Sequence, residues 1–191
     1  MEEKKENSKL GEIIRWIILL VVVVLIALGL RRFVIEPYNI PSGSMIDTIE
    51  IGDIVMAQKV TLELGKETEV GQIVTFYNVE GEVDDKGKTI VYIKRVIATA
   101  GQTVDLRDGY VYIDGEKQEE SYTDGQPSYD LNSGIEYPFT VSEGCIWVMG
   151  DNRTNSSDSR WFGEVPIENV NGIALFRYWP LNRIGGLDKY A

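Results

Sequence analysis

The sequence contains no histidine and only one cysteine, Cys145. A chain without histidine cannot use a Ser-His-Asp or Cys-His catalytic set, and a single cysteine cannot form an intrachain disulfide or a Cys/His zinc site. Any hydrolytic chemistry must therefore depend on Ser, Thr, Lys, Asp, Glu or Tyr side chains. We expect neither a bound metal nor a cofactor.

Positive charge is scarce beyond the first 35 residues. Residues 36–191 carry 13 Lys and Arg against 26 Asp and Glu, whereas residues 1–35 carry 6 basic and 4 acidic side chains. Nucleic-acid affinity depends on neutralising phosphates, so we expect no nucleic-acid partner for so acidic a part of the chain. The length of 191 residues and the hydrophobic fraction of 43% suit one folded domain with an appendage.

A long apolar run lies near the N-terminus. Residues 16–30 contain no charge, and flanking apolar residues extend the run to 13–35. As a helix, that segment would be ~34 Å long, enough for a hydrocarbon core of ~30 Å. We expect a single transmembrane helix over 13–35. Because more Lys and Arg precede it than follow it, residues 1–12 are predicted to be a cytoplasmic tail.

A cleaved signal peptide is the alternative interpretation of the same run. Small residues at 27–29 fit a cleavage site after a basic start. Against it, the apolar run continues beyond that site and Arg31 and Arg32 follow as a stop. Both interpretations place residues 36–191 outside the cytoplasm, and the first makes the protein a single-pass protein of the cell membrane.

The rest of the chain has a β pattern. Short stretches rich in Val, Ile, Tyr and Phe alternate with turn signals, without sustained helical periodicity apart from a possible turn at 45–51. We expect a mainly β domain of antiparallel sheets over 36–191, with a small hairpin-rich insertion at about 105–143. The predicted strands are 53–57, 72–77, 90–97, 110–113, 145–149 and 172–178.

Three segments could carry chemistry. Residues 41–44 (PSGS) expose a hydroxyl at a sharp turn or form a linker. In the strand at 90–97, Lys94 shares a face with apolar neighbours, either as an edge-strand lysine that discourages aggregation or as a desolvated amine. Burial lowers the pKa of a lysine, and only a neutral lysine can take a proton from a serine hydroxyl. Residues 149–160 are dense in small polar and charged side chains, as in a solvated loop or a hydrogen-bonded scaffold.

Together these segments resemble a bacterial type I signal peptidase of the single-anchor kind found in Gram-positive organisms. The resemblance covers nearly the whole chain, from the apolar run through PSGSM at 41–45, GDIV at 52–55 and KRV at 94–96 to GDNRTNSSDSRWFG at 150–163. It implies a signal-peptidase-like β domain behind one transmembrane helix. It also implies a serine/lysine endopeptidase that removes signal peptides from exported preproteins through an acyl-enzyme.

The resemblance implies a role for individual residues. Ser44 matches the nucleophile and Lys94 the general base, while the Ser42 hydroxyl and the Ser44 backbone N–H match the oxyanion hole. Ser156 matches a serine that hydrogen-bonds to the lysine and orients it. The chain departs from the family pattern at Asp47, where the family usually has Pro, and this places a charge near the turn of Ser44. The supporting ion pairs are matched by Arg95 with Asp151 and by Arg160 with Asp158.

A mainly β domain can bind an extended peptide as an added strand, with alternate side chains of the peptide pointing into the enzyme. The resemblance implies cleavage after small-x-small sites such as Ala-x-Ala. We expect apolar pocket walls from Ile40, Val91 and Ile93, although core packing explains the same residues. The expected partners are signal peptides of preproteins and the lipid bilayer.

Two other classes of protein stay open. Self-cleaving DNA-damage repressors also use serine and lysine, but they are cytosolic and carry a DNA-binding module. A catalytically silent, membrane-anchored binding protein could use the same β scaffold, although all four key side chains are present (Ser42, Ser44, Lys94 and Ser156). Incubation with an Ala-x-Ala preprotein would separate the three classes.

Overall fold

The computed structural model describes residues 2–33, 35–63, 65 and 67–187. The chain divides into two compact units, residues 1–35 and 36–191. In the first unit, helix α1 (Glu2–Phe33) contains the apolar run, and its side chains from Glu12 to Ile26 are exposed. Within the described ranges, none of the helices has both the length and the hydropathy required of a membrane span.

The ends of the expected segments differ from the observed elements. Ile35, the last residue of the predicted 13–35 helix, begins a strand. Residues 1, 34 and 188–191, which the predicted tail, helix and β domain include, lie outside the described residues.

The second unit is mainly β, and the pairings that link β2 through β12 are antiparallel, which confirms the predicted mainly β domain of antiparallel sheets. The strands are β1 (Ile35–Asn39), β2 (Ile54–Gln58), β3 (Ile73–Tyr77), β4 (Val91–Thr99), β5 (Thr103–Arg107), β6 (Tyr110–Ile113), β7 (Glu116–Lys117), β8 (Phe139–Thr140), β9 (Cys145–Met149), β10 (Val165–Pro166), β11 (Val170–Trp179) and β12 (Gly185–Gly186). One sheet has the order β1-β2-β11-β3-β4-β9-β10, with β12 paired to β11. The other has the order β7-β6-β5-β8.

Strand β4 occupies the middle of the larger sheet. It pairs with β3, where Lys94 lies opposite Val74, and with β9, where Arg95 lies opposite Met149. Six of its nine positions are buried and the other three are half-buried, and Arg95 is fully buried. A polar side chain on β4 is therefore held in a dry environment on either face of the strand.

Two apolar clusters fix the surroundings of β4. One packs the turn that follows Ser44 against the larger sheet through Met45 and Ile49, both fully buried. The other joins β4 and β9 to the smaller sheet and includes the fully buried Trp147. Besides α1, the described residues form two single-turn α-helices, α2 (Val60–Glu63) and α3 (Ser159–Phe162), and three single-turn 3₁₀ helices (Ser121–Thr123, Ile167–Asn169 and Leu181–Arg183). One turn is too short to produce a helical period in the sequence, which is why none of these short helices was predicted.

Candidate active site

Ser44 and Lys94 meet in the fold although they are 50 positions apart in the chain. Lys94 Nζ lies 2.7 Å from Ser44 Oγ and also donates to the carbonyl oxygen of Ile93 at 3.1 Å. Both side chains are buried, with 8% of Ser44 and 4% of Lys94 exposed. The arrangement is a hydroxyl in direct hydrogen-bond contact with a desolvated amine.

Burial lowers the pKa of Lys94 from its ordinary value of 10.5 to about 8, while the negative charges of Asp158 and Asp151 act in the opposite direction. An amine with this pKa is partly neutral near pH 7 and can accept a proton from Ser44. An edge-strand lysine that discourages aggregation must be exposed, whereas Lys94 is buried and bonded to Ser44, so that interpretation of Lys94 is wrong.

The turn that carries Ser44 is held by the loop after β9. The Asn152 backbone N–H donates to the Ser44 carbonyl at 3.1 Å, and Asn152 Nδ2 donates to the Gly43 carbonyl at 2.9 Å. Gly150 lies so close to the Ser44 carbonyl and to Ser156 Oγ that a Cβ at position 150 would clash with both. A residue with any side chain at position 150 would therefore push this loop away from Ser44.

Ser156 is close to this site but does not make the expected bond. Its Oγ is buried and has no hydrogen-bond partner within the part of the chain that the structure describes. Lys94 Nζ donates to Ser44 and Ile93 instead. The structure thus brings Ser156 to the loop beside Ser44 without a hydrogen bond from Ser156 to the lysine.

The two expected ion pairs are both formed and both are sealed from water. Arg95 binds Asp151 in a bidentate geometry, with Nε–Oδ1 at 2.9 Å and a terminal nitrogen to Oδ2 at 2.7 Å. Arg160 binds Asp158 in the same manner at 2.9 Å for both contacts. All four side chains are at most 1% exposed.

Each of these carboxylates has a further donor. Thr48 Oγ1 donates to Asp151 at 2.5 Å, and the Gly150 backbone N–H donates to Asp158 at 3.0 Å. A buried carboxylate needs such donors to offset its desolvation. Residue 48 comes four positions after Ser44, so this bond connects the segment of the serine to the loop at 150–163.

A cavity of about 260 Å³ opens beside the Ser44–Lys94 pair. Ser42, which is exposed, lines it together with Ser44 and Lys94. The expected wall residues Ile40, Val91 and Ile93 lie in its lining as well. The lining has six further residues that sequence reasoning did not name as pocket walls, namely Tyr38, Asn39, Pro41, Thr75, Ile90 and Tyr92.

One edge of β4 is open over residues that line this cavity. Pairing with β3 covers Val91 to Arg95, whereas pairing with β9 begins only at Arg95. The backbone from 91 to 94 therefore has a partner strand on one side only, among the residues described. An extended peptide could add to that edge next to Ser44.

Two remaining observations concern charge and metals. The side chain of Asp47 is exposed, so its charge is solvated. Across the described ranges, no group of Cys, Asp and Glu side chains is arranged to hold a metal ion.

Sequence reasoning missed three residues that support this site. Thr48, Gly150 and Asn152 each contact either Asp151 or the Ser44 turn. Gly150 and Asn152 belong to the 150–163 motif, so the motif itself was the available signal. Thr48 carried no comparable signal, because its partner is 103 positions away.

Comparison with known proteins points to one family. The model of the family described as signal peptidase, peptidase S26 matches residues 13–179. The chain is 42% identical over 173 residues to a probable signal peptidase I-1 of Synechocystis sp., covering 90% of this chain and 85% of that protein. It is 32% identical over 194 residues to a signal peptidase I of Bacillus licheniformis, covering 98% of this chain and 100% of that protein. The crystal structure of a signal peptidase I from Enterococcus faecalis, at 31% identity, covers 56% of this chain and 97% of that chain with a TM-score of 0.45.

Proposed function

Because the chain belongs to the signal peptidase family, peptidase S26, and is a serine endopeptidase, we propose that it removes signal peptides from exported preproteins with Ser44 as nucleophile and Lys94 as general base. One observation carries the assignment of roles, namely the 2.7 Å contact between a buried amine and a buried hydroxyl. The absence of histidine from the sequence agrees with a lysine base.

In the proposed reaction, neutral Lys94 takes the proton of Ser44 while Oγ attacks the scissile carbonyl carbon. The developing oxyanion accepts hydrogen bonds from the Ser44 backbone N–H and the Ser42 hydroxyl. The C–N bond then breaks, and protonated Lys94 gives its proton to the leaving amine of the mature protein. The signal peptide is left as an ester on Ser44.

Deacylation uses the same base. Lys94, again neutral, takes a proton from a water molecule that attacks the ester carbon. Collapse of the second tetrahedral intermediate breaks the bond to Ser44 Oγ, which recovers the proton from Lys94. The signal peptide leaves with a new carboxyl terminus. In this proposal the Arg95–Asp151 and Arg160–Asp158 pairs hold the loop. The lysine-orienting role expected of Ser156 is not retained, because Ser156 Oγ makes no bond to Lys94 among the described residues.

We propose that the substrate binds along the open edge of β4 and that the cavity selects small side chains. The one-sided pairing at 91–94 supports strand addition. The cavity volume of about 260 Å³ and the apolar walls at Ile40, Val91 and Ile93 support a preference for Ala-x-Ala. In a strand, the first and third residues before the cut would face the enzyme and the second would not.

We also propose that α1 anchors the enzyme in the cell membrane, with residues 1–12 cytoplasmic and 36–191 extracytoplasmic. The uncharged run from 16 to 30 and the exposure of apolar side chains along α1 support this topology. In the second unit, Trp161 and Trp179 are about half exposed, as side chains that contact a lipid interface are.

The test is cleavage of an Ala-x-Ala preprotein in detergent by the full chain. Wild type should cut after the second Ala, and Ser44→Ala should not. Ser142→Ala, at an exposed serine away from the cleft, is the matched control and should cut like wild type. Binding without cleavage would favour the silent binding protein, and cleavage of the chain by itself alone would favour a repressor-like protease.

A further inference from the structure

Arg153 is a buried side chain for which the proposed reaction has no use. Its guanidinium is 0% exposed. Two of its nitrogens bind the Glu120 carboxylate at 2.6 and 2.7 Å, and Nε donates to the Gly150 carbonyl at 2.9 Å. Ser128 Oγ accepts a further bond from it at 2.5 Å. Arg153 therefore joins the loop of the active site to the segment between β7 and β8 of the smaller sheet.

A second contact runs from the same segment to the same loop. Tyr122 OH donates to Glu120 at 2.8 Å, and the Tyr122 ring lies 4.0 Å from the guanidinium carbon of Arg95. Arg95 holds Asp151 through its bidentate pair. The segment 120–122 thus contacts Arg153, which lies in the 150–163 motif, and Arg95, which binds Asp151 of that motif.

These contacts lead directly to the nucleophile. Gly150, held by Arg153, packs against the Ser44 carbonyl, and Asp151, held by Arg95, precedes the residue whose N–H binds that carbonyl. Loss of the Glu120 carboxylate would leave the buried charge of Arg153 uncompensated, which is strongly destabilising unless another carboxylate approaches it. Asp151 is the available substitute, because its negative charge already raises the pKa of Arg153. A movement of Asp151 toward Arg153 would displace the loop from Ser44.

We propose that Glu120 and Tyr122 are positioning residues for the Ser44–Lys94 pair, acting through Arg153 and Arg95 from the smaller sheet. The proposal rests on the proposed function. Neither residue touches the cavity that would hold the substrate. Their loss should therefore lower kcat and leave KM unchanged, since a misplacement of about 1 Å in catalytic geometry costs up to about 10²-fold in rate.

The experiment compares steady-state cleavage of an Ala-x-Ala preprotein by full-length variants whose folding is checked by thermal melting. Glu120→Gln should lower kcat by about 10- to 100-fold with KM within twofold of wild type. Glu120→Asp, which keeps a carboxylate, should recover part of the rate. The neighbouring Glu119 is exposed and makes no hydrogen bond that the structure records, so Glu119→Gln is the matched control and should cleave like wild type.

A double variant separates positioning from simple stability. Glu120→Gln with Arg153→Met leaves no unpaired buried charge, so it should fold even where Glu120→Gln does not. If the pair positions the loop, kcat of the double variant stays low because Gly150 has lost its donor. A folded Glu120→Gln or double variant with wild-type kcat would overturn the proposal. Cleavage by Ser44→Ala, assayed alongside, would instead refute the proposed function.

Discussion

The cleft beside Ser44 has two unlike walls. The polar wall consists of Ser42, Ser44 and Lys94. Bonds between residues that are 50 to 109 positions apart, including bonds to the loop at 150–163, hold it in place. The apolar wall consists of Ile40, Val91 and Ile93. Ile40 and Ile93 are held by packing in the core, and Val91 by its pairing with β3. The polar wall is suited to setting the rate of bond cleavage, and the apolar wall to setting which peptide is cut.

The two walls also differ in what they cost the fold. The apolar wall is made of side chains whose burial is favourable, at ~25 cal/mol per Å² of apolar surface. The polar wall contains a buried amine whose charged form is disfavoured. It also depends on the buried ion pairs Arg95–Asp151 and Arg160–Asp158, whose desolvation is offset only when every partner is present. Function is therefore concentrated on the wall that is less favourable to bury, and the predictions below separate the walls by size of effect.

The largest effect is expected from Lys94→Arg. The guanidinium cannot become neutral at working pH, so the variant keeps a positive charge but loses the base. We expect kcat to fall by up to roughly 10⁴-fold. The measurement is preprotein cleavage by the folded variant, with Lys86→Arg, at an exposed lysine, as control. Turnover near that of wild type would show that Lys94 is not the base.

The next largest effect is expected from Ser42→Ala. Loss of one oxyanion donor costs about 2.7–4 kcal/mol of transition-state stabilisation, which is roughly 10²- to 10³-fold in kcat. KM should change little, because the Ser42 hydroxyl acts on charge that develops only during the reaction. Ser42→Thr, which keeps a hydroxyl, should retain more activity than Ser42→Ala. Equal kcat for Ser42→Ala and wild type would remove Ser42 from the polar wall.

The cost of the polar wall is measurable as a pH-dependent stability. Unfolded Lys94 binds a proton up to its ordinary pKa of 10.5, but the folded protein binds it only up to a pKa of about 8. Between these values the unfolded state binds more protons, so wild-type stability rises with pH, by on the order of 3 kcal/mol from this group. Lys94→Met lacks that rise. Denaturant unfolding of both proteins at pH 8 and pH 10.5 measures the change in the free energy of unfolding. An equal change in wild type and Lys94→Met would contradict the prediction.

The same titration should shape catalysis. Since the neutral amine is the base, kcat should rise about tenfold per pH unit below the pKa of about 8 for Lys94 and level off above it. The rising limb reflects loss of a proton from a group that burial has made less basic. A single-turnover pH series on wild type measures the midpoint. A profile that is flat from pH 6 to pH 9 would assign the slow step to something other than proton transfer to Lys94.

The strands were easier to predict from the sequence than the side chains that meet across the fold. Alternation and β-branched residues placed β6 and β9 at their observed bounds and β4 within two residues. The same alternation predicts two faces but cannot show that both are buried, as they are at Lys94 and Arg95.

Residues that meet through long-range pairing had a weaker signal. Asp151 was matched to Arg95 by resemblance, not by spacing. Glu120 had no signal at all, because its arginine is 33 positions away in the loop after β9. For Ser156 the motif gave the correct position in the loop. The hydrogen bond to Lys94 that the resemblance implied is not formed among the described residues.

The smallest effect, and the one that tests the apolar wall, is on selectivity. One methylene in an apolar pocket changes binding by only ~1–3 kcal/mol. Substrates with Gly or Ser in place of Ala should therefore be tolerated, whereas Leu or Phe should be excluded by clash. Preproteins varied at the first and third residues before the cut measure this preference. Equal rates for Leu and Ala would refute the small-pocket proposal.

Val91 offers the cleanest change to the wall itself. Ile40 and Ile93 are buried core residues, and their truncation costs ~2–5 kcal/mol of stability, which would obscure a change in specificity. Val91 is only half-buried, so Val91→Ala should enlarge the cavity with little loss of stability. We expect it to improve cleavage of Leu-bearing preproteins relative to Ala, with kcat on Ala substrates nearly unchanged. Val70→Ala, at an exposed position, should leave the ratio of Leu to Ala cleavage unaltered. If Val91→Ala also leaves that ratio unaltered, Val91 does not bound the pocket, and the selectivity of the cleft must come from its other lining residues.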